Sequence, residues 1–142
     1  MDAGNDRDGS SIVQKVSPYI TDVAIEYVIA THSHADHIGG IEDVYAACQV
    51  AHTIYGDTGT TAQFKEFMGA ASGEPNSIVK DEDDMLSLPN SATLTILDII
   101  DDDSNTNNNS VVTALEADGR RMLVTGDAED EKSKAVKSAL AE

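Results

Sequence analysis

The amino-acid sequence predicts an α/β fold in which helices pack on sheets in layers. Apolar segments rich in β-branched residues alternate with segments of helical periodicity over much of the chain, and this alternation favours a layered architecture. The 142 residues correspond to a single domain, 1–142. No stretch of the sequence approaches the roughly 18 consecutive apolar residues of a membrane span. We therefore predict a globular domain with no membrane segment in this chain.

Five elements are predicted in the first half of the chain. In order they are a helix at 10–16, a strand at 24–31, a helix at 39–48, a strand at 49–55 and a helix at 60–72. Ser10 and Ser11 can cap the first helix, and Pro18 ends it. The strands are apolar runs such as AIEYVIAT, and the helices carry apolar residues at helical spacing. The stripe of the last helix that we expect in the core is Phe64, Phe67 and Met68.

The second half is predicted to be mainly β-structure with one closing helix. In order we expect two short strands around an acidic turn within 76–90, a strand at 92–100, a polar loop at 101–110, a hairpin at 110–128 and a helix at 129–142. Asp118 and Gly119 form the hairpin turn, and a loop begins at Gly126 and Asp127. Acids in the first turn of the last helix and lysines further on suit its dipole.

Acidic residues dominate the composition. Twenty-six Asp and Glu face nine Lys and Arg, which gives a formal net charge of −17. Such a charge destabilises the compact state by self-repulsion unless salt screens it. We therefore infer a salt-rich habitat, such as that of a halophilic organism. The same charge argues against a broad basic patch for nucleic acid, so that any contact with phosphate must be local.

Two residues with reactive side chains are assigned structural roles. Cys48 is the single cysteine, so it forms no internal disulfide, and its apolar helical surroundings predict a buried thiol. His52 lies within the apolar strand 49–55, where a structural role is the favoured interpretation.

The segment 31–40, THSHADHIGG, concentrates the chemistry of the chain. It holds three of the four histidines and one aspartate, namely His32, His34, Asp36 and His37. Alternate side chains of an extended stretch share a side, so His32 and His34 can converge on one ion. Asp36 and His37 can turn towards a second ion if a helix follows. Imidazoles and carboxylates suit Zn²⁺, Mn²⁺ or Fe, whereas Ca²⁺ prefers oxygen ligands. Three structural histidines are the alternative, which this spacing disfavours.

This segment, after its apolar strand, resembles the HxHxDH signature of the metallo-β-lactamase fold. DAG at 2–4 is similar to the first Asp motif of that family, and MLVTGDA at 122–128 is similar to its later strand that ends in Gly-Asp. The resemblance implies an αββα sandwich. It also implies that Asp2 supports the metal-binding loop from behind the ligands and that Asp127 bridges both metals.

A departure from the family pattern indicates one of its branches. Many members carry a further histidine upstream of the bridging aspartate, but this chain has none after His52 and reads NTNNNSVV in that region. This loop is similar to that of the branch typified by the DNA-uptake protein ComEC. The resemblance implies that Asn108 or Asn109 lies nearest the metals, whereas composition alone equally allows a flexible loop. An amide oxygen makes the site harder, so Mn²⁺ or Mg²⁺ becomes a candidate beside Zn²⁺.

The ends of the chain also depart from the family pattern. The fold normally begins with a strand pair before DAG, and its final metal-binding histidine follows the helix after GDAE. We therefore expect a partial metallo-β-lactamase domain, as an internal fragment or a truncated reading frame, which lacks the first strands and the last metal-ligand segment.

The resemblance implies a metal-dependent hydrolase. Two divalent ions, Zn²⁺ or Mn²⁺, can hold a bridging hydroxide and clamp the attacking and leaving oxygens of a displacement. Asp127 bridges the ions, and Asp36 is a metal ligand and proton acceptor. The expected substrate is DNA or another phosphodiester, as for a nuclease of the ComEC type. The alternatives are hydrolysis of an ester, thioester or lactam bond, and a catalytically silent metal-binding or DNA-handling module.

Overall fold

The computed structural model describes residues 2–20, 24–56, 59–73, 84–98, 104–129 and 136–137. The α-helices in these ranges are α1 (Gly9–Val16), α2 (Ala35–Ile38), α3 (Ile41–Ala47) and α4 (Ala62–Ser72). The strands are β1 (Ile25–Ala30), β2 (Val50–Tyr55), β3 (Met85–Ser87), β4 (Thr93–Asp98), β5 (Val112–Ala117) and β6 (Arg120–Val124). Short 3-10 turns lie at Ser17–Tyr19, Pro89–Ser91 and Thr106–Asn109. The predicted α/β class is confirmed.

The strands form two sheets of different type. β1 and β2 pair in parallel, with Ile25 opposite Val50, and α3 lies in the crossover that a parallel pair requires. β3, β4, β5 and β6 form an antiparallel sheet in that order. The turn between β5 and β6 is Asp118-Gly119, with φ values of 50° and 71°. Two adjacent positive φ angles are those of a tight hairpin turn that favours Asp-Gly, so the predicted hairpin is confirmed.

Two apolar cores hold the layers together. The first lies between the helices and one face of β1 and β2, and its largest members are Ile38, Ile41, Tyr45, Phe64 and Phe67. The second contains Ile29 and Ile54 from the parallel sheet, together with Leu94, Ile96 and Val111. Side chains alternate between the faces of a strand, so β1 contributes to both cores. The described layers are therefore helices, parallel sheet and antiparallel sheet.

Three local predictions are corrected. Asp8, and not Ser10 or Ser11, occupies the N-cap position of α1, because the helix begins at Gly9 and both serines lie within its first turn. The helix predicted at 39–48 corresponds to α3, but a separate short helix, α2, precedes it from Ala35 and was not predicted as an element of its own. Cys48 is half-buried, not buried, because the backbone becomes extended there at the end of α3.

Parts of several predictions lie outside the described residues. They are the first short strand within 76–90, the end of the strand 92–100, the start of the loop 101–110 and most of the helix 129–142. Of that last predicted helix only residues 136–137 are described, as helix. Within the described ranges, no helix has both the length and the apolar character needed to cross a membrane.

Candidate metal centre

The HSHADH segment lies at the point where β1 gives way to α2. His34 occupies the N-cap position of α2 with extended backbone angles of φ −69° and ψ 143°, whereas Asp36 and His37 lie inside the helix. This change from extended to helical backbone between His34 and Asp36 is the geometry that the spacing predicts. His32 is buried, with 1% of its surface exposed, so its ring belongs to the interior of the site.

His32, His37 and Asp127 form a compact cluster. One nitrogen or oxygen from each residue lies within 4.8 Å of the others. Nε2 of His37 is 3.4 Å from Oδ2 of Asp127, and the ring centres of His32 and His37 are 4.1 Å apart. Asp127 reaches the cluster from the loop after β6, so the two sheets supply its members from different parts of the chain.

His34 and Asp36 lie at the border of this cluster. Nδ1 of His34 is 2.9 Å from Nε2 of His32, so these two rings meet as the predicted pairing requires. Oδ2 of Asp36 is 4.0 Å from Nε2 of His37, and the Asp36 side chain is 63% exposed. The cluster therefore has a buried side at His32 and an open side at Asp36. His32 contacts the rings of both His34 and His37.

Asp2 lies behind the histidines and holds two parts of the site. Its Oδ1 accepts a hydrogen bond from the backbone N–H of Thr31 at 2.7 Å, and its Oδ2 accepts one from the Thr31 hydroxyl at 2.7 Å. The same Oδ2 is 2.9 Å from Nδ1 of His37. Because these contacts leave Nε2 of His37 directed towards Asp127, Asp2 supports the ring without belonging to the cluster.

The segment that carries Asp2 runs close against α2. The backbone N–H of Ala3 donates to the carbonyl of His37 at 2.7 Å, and that of Gly40 donates to the carbonyl of Gly4 at 3.2 Å. A Cβ atom on Gly40 would lie 2.4 Å from the carbonyl oxygen of Ala3. The glycines after His37 therefore allow the chain of Asp2 to approach.

The pKa values of the two inner histidines shift in opposite directions. Burial lowers the pKa of His32, and the neighbouring His37 and His34 lower it further, with the carboxylates nearby opposing the shift. Burial also lowers the pKa of His37 as its largest single influence, but the hydrogen bond that its ring donates to Asp2 and the charges of the carboxylates outweigh it, so that pKa is raised. His32 is therefore the ring that more readily offers a neutral nitrogen.

The Asn-rich loop packs beside the loop of Asp127. Asn108 and Asn109 are both buried, at 7% and 6% exposure. Oδ1 of Asn108 accepts a hydrogen bond from the backbone N–H of Glu129 at 3.1 Å. The amides of Asn105 and Asn107 donate to the carboxylate of Glu129 at 3.0 and 2.9 Å. The described part of this loop therefore packs against and supports the loop that carries Gly126 and Asp127.

Ser110 is a site residue that the sequence did not single out. It is fully buried, its Oγ lies 3.4 Å from Nδ1 of His32, and it accepts a hydrogen bond from the backbone N–H of Asp127 at 3.2 Å. The backbone N–H of Val111 donates to the carbonyl of Thr31 at 2.8 Å. This bond brings the start of β5 beside the exit of β1, a long-range contact with no local sequence signal.

His52 lies outside this cluster. Its ring stacks on that of Tyr27, with ring centres 5.0 Å apart and an angle of 24° between the planes. The two residues are also partners in the register of β1 and β2. This packing agrees with the structural role expected for His52.

The donor atoms of the cluster fit a divalent transition-metal ion. Imidazole nitrogens and a carboxylate oxygen are the ligands that Zn²⁺, Mn²⁺ and Fe take in proteins. Nε2 of His32 and Nδ1 of His34, only 2.9 Å apart, need a proton or a cation between them, because two neutral nitrogen lone pairs cannot bond to each other. Support of His37 by Asp2 through the other ring nitrogen is typical of metal-binding histidines.

Comparison with known proteins assigns the chain to a family. The family model of the metallo-beta-lactamase superfamily matches residues 1–135. Among solved structures, CmlA, a diiron beta-hydroxylase from Streptomyces venezuelae, matches with a TM-score of 0.51 and 16% identity, over 74% of this chain and 21% of that one. The chain therefore spans about a fifth of the length of that protein, and a likeness at this identity concerns the fold alone. No curated protein sequence matches the chain. With nearly its whole length matched by the family model, the chain belongs to the metallo-β-lactamase superfamily.

Proposed function

We propose that the chain forms the metal-binding part of a hydrolase that cleaves phosphodiester bonds in DNA, in the ComEC-like branch of the superfamily. The observation that carries the proposal is the convergence of His32, His37 and Asp127 within 4.8 Å. His34 and Asp36, at the border of the cluster, are the other proposed ligands within this chain. The proposed cofactors are two divalent ions, Zn²⁺ or Mn²⁺, and the diiron centre of a protein with this fold supports a dinuclear site.

Each residue of the proposed site has a distinct task. Metal ions, when bound, supply Lewis acidity that activates water and stabilises negative charge on a phosphoryl oxygen. The three imidazoles bind and orient, and Asp127 is the proposed bridging ligand between the two positions. Asp36 is 63% exposed, so its carboxylate can accept a proton and exchange it with solvent. Burial of His32 excludes water from the inner side of the site.

The charge of the loaded site supports an anionic substrate. The carboxylates at or behind the cluster are those of Asp2, Asp36 and Asp127. Two divalent ions carry four positive charges against these three carboxylates, so with neutral histidines the local charge changes from −3 to +1, or to zero with a bound hydroxide. A chain with a formal net charge of −17 would otherwise repel DNA. This loss of local negative charge makes phosphodiester binding dependent on the metals.

A cleft beside the site offers one further cation to a phosphate. It has a volume of about 480 Å³, and its lining includes Arg7, Gln63 and Ala35, together with the carboxylate residues Asp6 and Asp8, which oppose an anion there. Ala35 lies between His34 and Asp36 in the sequence, so the cleft adjoins the proposed ligands. A guanidinium binds phosphate oxygens in bidentate fashion. Arg7 is the proposed contact for a phosphate next to the one that reacts, by direct bonds from its guanidinium and not by the net charge of the cleft.

The loop before β5 supports the assignment to the ComEC-like branch. Where many members of the superfamily carry a histidine, this chain carries an Asn-rich loop that ends at Ser110. The Ser110 hydroxyl, in place of an imidazole, lies beside His32. Fewer nitrogen ligands make the site harder and favour Mn²⁺ relative to Zn²⁺, as expected for a phosphodiesterase centre that clamps oxygen atoms.

The proposal is tested by DNA cleavage with matched variants. The full-length protein is incubated with supercoiled plasmid and linear DNA at high salt, with Mn²⁺, Zn²⁺ or a chelator. We expect cleavage that the chelator abolishes, that is lost in His32→Ala and that is retained in His52→Ala, whose histidine lies outside the cluster. Absence of chelator-sensitive cleavage under every condition would overturn the nuclease assignment. Turnover of a thioester or β-lactam without DNA cleavage indicates the alternative hydrolase, and bound metal without any turnover indicates the silent module.

A further inference from the structure

Thr31 lies between Asp2 and His32 and contacts both. Its side chain is fully buried. The Thr31 hydroxyl donates to Oδ2 of Asp2 at 2.7 Å, and the same hydroxyl oxygen lies 3.1 Å from Nδ1 of His32. The backbone N–H of Thr31 also donates to Oδ1 of Asp2, at 2.7 Å. The threonine is therefore held by two bonds to one carboxylate while its oxygen faces an imidazole.

The donor and acceptor capacities of these groups determine the tautomer of His32. An ionised carboxylate accepts hydrogen bonds and donates none, and a hydroxyl has a single proton to donate. The Thr31 proton is therefore directed at Asp2, and only lone pairs of its oxygen remain for Nδ1 of His32. A favourable contact at 3.1 Å then requires that Nδ1 of His32 carries a proton. Neutral His32 in that form offers the lone pair of Nε2 to the cluster.

His37 reaches the same state by a direct route. Its Nδ1 lies 2.9 Å from Oδ2 of Asp2, so Nδ1 donates and the lone pair of Nε2 is directed at Asp127, 3.4 Å away. Asp2 thus contacts one inner histidine directly and the other through Thr31. The carboxylate of Asp2 therefore favours the Nδ1–H tautomer of both rings.

We propose that Thr31 is a positioning residue that relays the acceptor character of Asp2 to His32, so that one carboxylate holds both His32 and His37 as Nδ1–H tautomers. The relay is a property of the metal-free chain. Its consequence for metal affinity rests on the proposed function, because only a metal site needs both Nε2 lone pairs on the same side.

The burial of Thr31 explains why water cannot replace the relay. The side chain has no exposed surface, and a Cβ atom on Gly126 would lie 2.8 Å from its Cβ. A variant without the hydroxyl therefore leaves Nδ1 of His32 with the Ser110 hydroxyl, at 3.4 Å, as its remaining described polar neighbour. That longer contact can be made with either group as donor, so it does not select a tautomer.

The tautomers are measured by ¹⁵N NMR of the imidazole rings in the metal-free chain, at about pH 9, where imidazoles are neutral. We expect Nδ1–H signals for both His32 and His37 in the wild type. Thr31→Val keeps the shape of the side chain and removes the hydroxyl, and should give a mixed tautomer at His32 with His37 unchanged. Thr31→Ser should restore the Nδ1–H form. Thr53→Val removes an equally buried hydroxyl from the neighbouring strand and should change neither ring.

Asp2→Asn tests the relay independently of whether Thr31→Val folds. Loss of the carboxylate should release both His32 and His37 into mixed tautomers. A change at His37 alone would overturn the relay, as would an Nε2–H form of His32 in the wild type or an unchanged His32 in folded Thr31→Val.

Metal affinity separates the relay from the proposed function. In Thr31→Val we expect Zn²⁺ or Mn²⁺ affinity to fall about 10- to 100-fold, the usual effect of removing a group that orients a ligand. Thr31→Ser and Thr53→Val should bind as the wild type does. If the tautomers respond as expected but the wild type binds neither ion, the relay stands and the proposed metal centre fails.

Discussion

Asp127 is half-exposed, at 48% of its side-chain surface, yet its backbone is fixed from two sides. The Ser110 hydroxyl accepts a hydrogen bond from the backbone N–H of Asp127, and the preceding residue, Gly126, has a φ of +54°. The loop therefore presents the carboxylate to the histidines at little further cost in conformational entropy. Side-chain identity at this position should affect the cluster more than it affects the fold.

Replacing Asp127 by asparagine should remove metal binding while the fold is kept. Asp127→Asn preserves size and removes the charge that balances a divalent ion, so we expect Mn²⁺ or Zn²⁺ affinity to fall by at least about 100-fold, measured by isothermal titration. Asp118→Asn is the matched control, because Asp118 lies at the far turn of the same hairpin and Asn also tolerates its positive φ. Equal affinities in the two variants would contradict the role proposed for Asp127.

Arg7 should affect DNA binding more than it affects catalysis. Arg7→Gln removes the cation from the cleft beside Ala35, so we expect KM for a short DNA substrate to rise several-fold with little change in kcat. Arg120→Gln removes an exposed charge at the opposite end of β6 from Asp127 and should change neither parameter. If both variants raise KM equally, the effect is one of net charge and the local contact is refuted.

Gly126, in the loop between β6 and the cluster, is required both by its backbone angle and by close packing. Gly126 has a positive φ, and a Cβ atom there would lie 2.8 Å from both Oγ of Ser110 and Cβ of Thr31. Gly119 in the hairpin turn also has a positive φ, but no atom lies within 4 Å of its added Cβ. A side chain at position 119 would therefore cause backbone strain alone, whereas one at position 126 would cause both backbone strain and overpacking.

Alanine at these two positions should destabilise the chain unequally. Gly119→Ala pays only the left-handed backbone penalty, about 1–2 kcal/mol. Gly126→Ala should cost roughly 1–3 kcal/mol more, since overpacking is added. The difference is read from urea unfolding midpoints at constant slope. An equal loss in both variants would show that Ser110 and Thr31 are free to move away from position 126.

The elements with strong periodicity were predictable from sequence, and the contacts between distant elements were not. The apolar runs around Val28 and Ile54 and the stripe of Phe64 and Phe67 indicate β1, β2 and α4 because burial acts on local patterns. The HSHADH spacing likewise indicates the ligand segment. The role of Ser110 depends on β5 starting beside the exit of β1, and no local pattern encodes that register.

Capping at the start of α1 shows a further limit of local reasoning. Ser10 and Ser11 have the chemistry of N-cap residues, but Asp8 occupies the cap, and the chain before it is bonded to the α2 region through Ala3 and Gly4. The carboxylate of Asp8 instead accepts the backbone N–H of Asn5 at 3.0 Å. Tertiary contacts of the Asp2 segment therefore decide where the helix begins.

The chain is strongly acidic, and the site that we propose within it binds cations. The charge of −17 disfavours the compact state through self-repulsion. We propose that the protein is adapted to high salt, which shortens the range of this repulsion to about 3 Å at 1 M.

Thermal stability should therefore rise with salt. We expect Tm to increase steadily between low salt and about 1 M KCl as repulsion is screened. A parallel series in sucrose, which is excluded from the protein surface but carries no charge, controls for general solvent effects. A Tm that is flat or falls in KCl would contradict the inference of a salt-rich habitat.

The central claim is that the two sheets bring His32, His37 and Asp127 together to bind metal. Anomalous X-ray scattering from crystals grown with Mn²⁺ or Zn²⁺ tests it most directly. The account predicts a peak at bonding distance, about 2.0–2.2 Å, from Nε2 of His32 or His37 and from the Asp127 carboxylate. Peaks only at exposed acidic side chains, with none at this cluster, would contradict it.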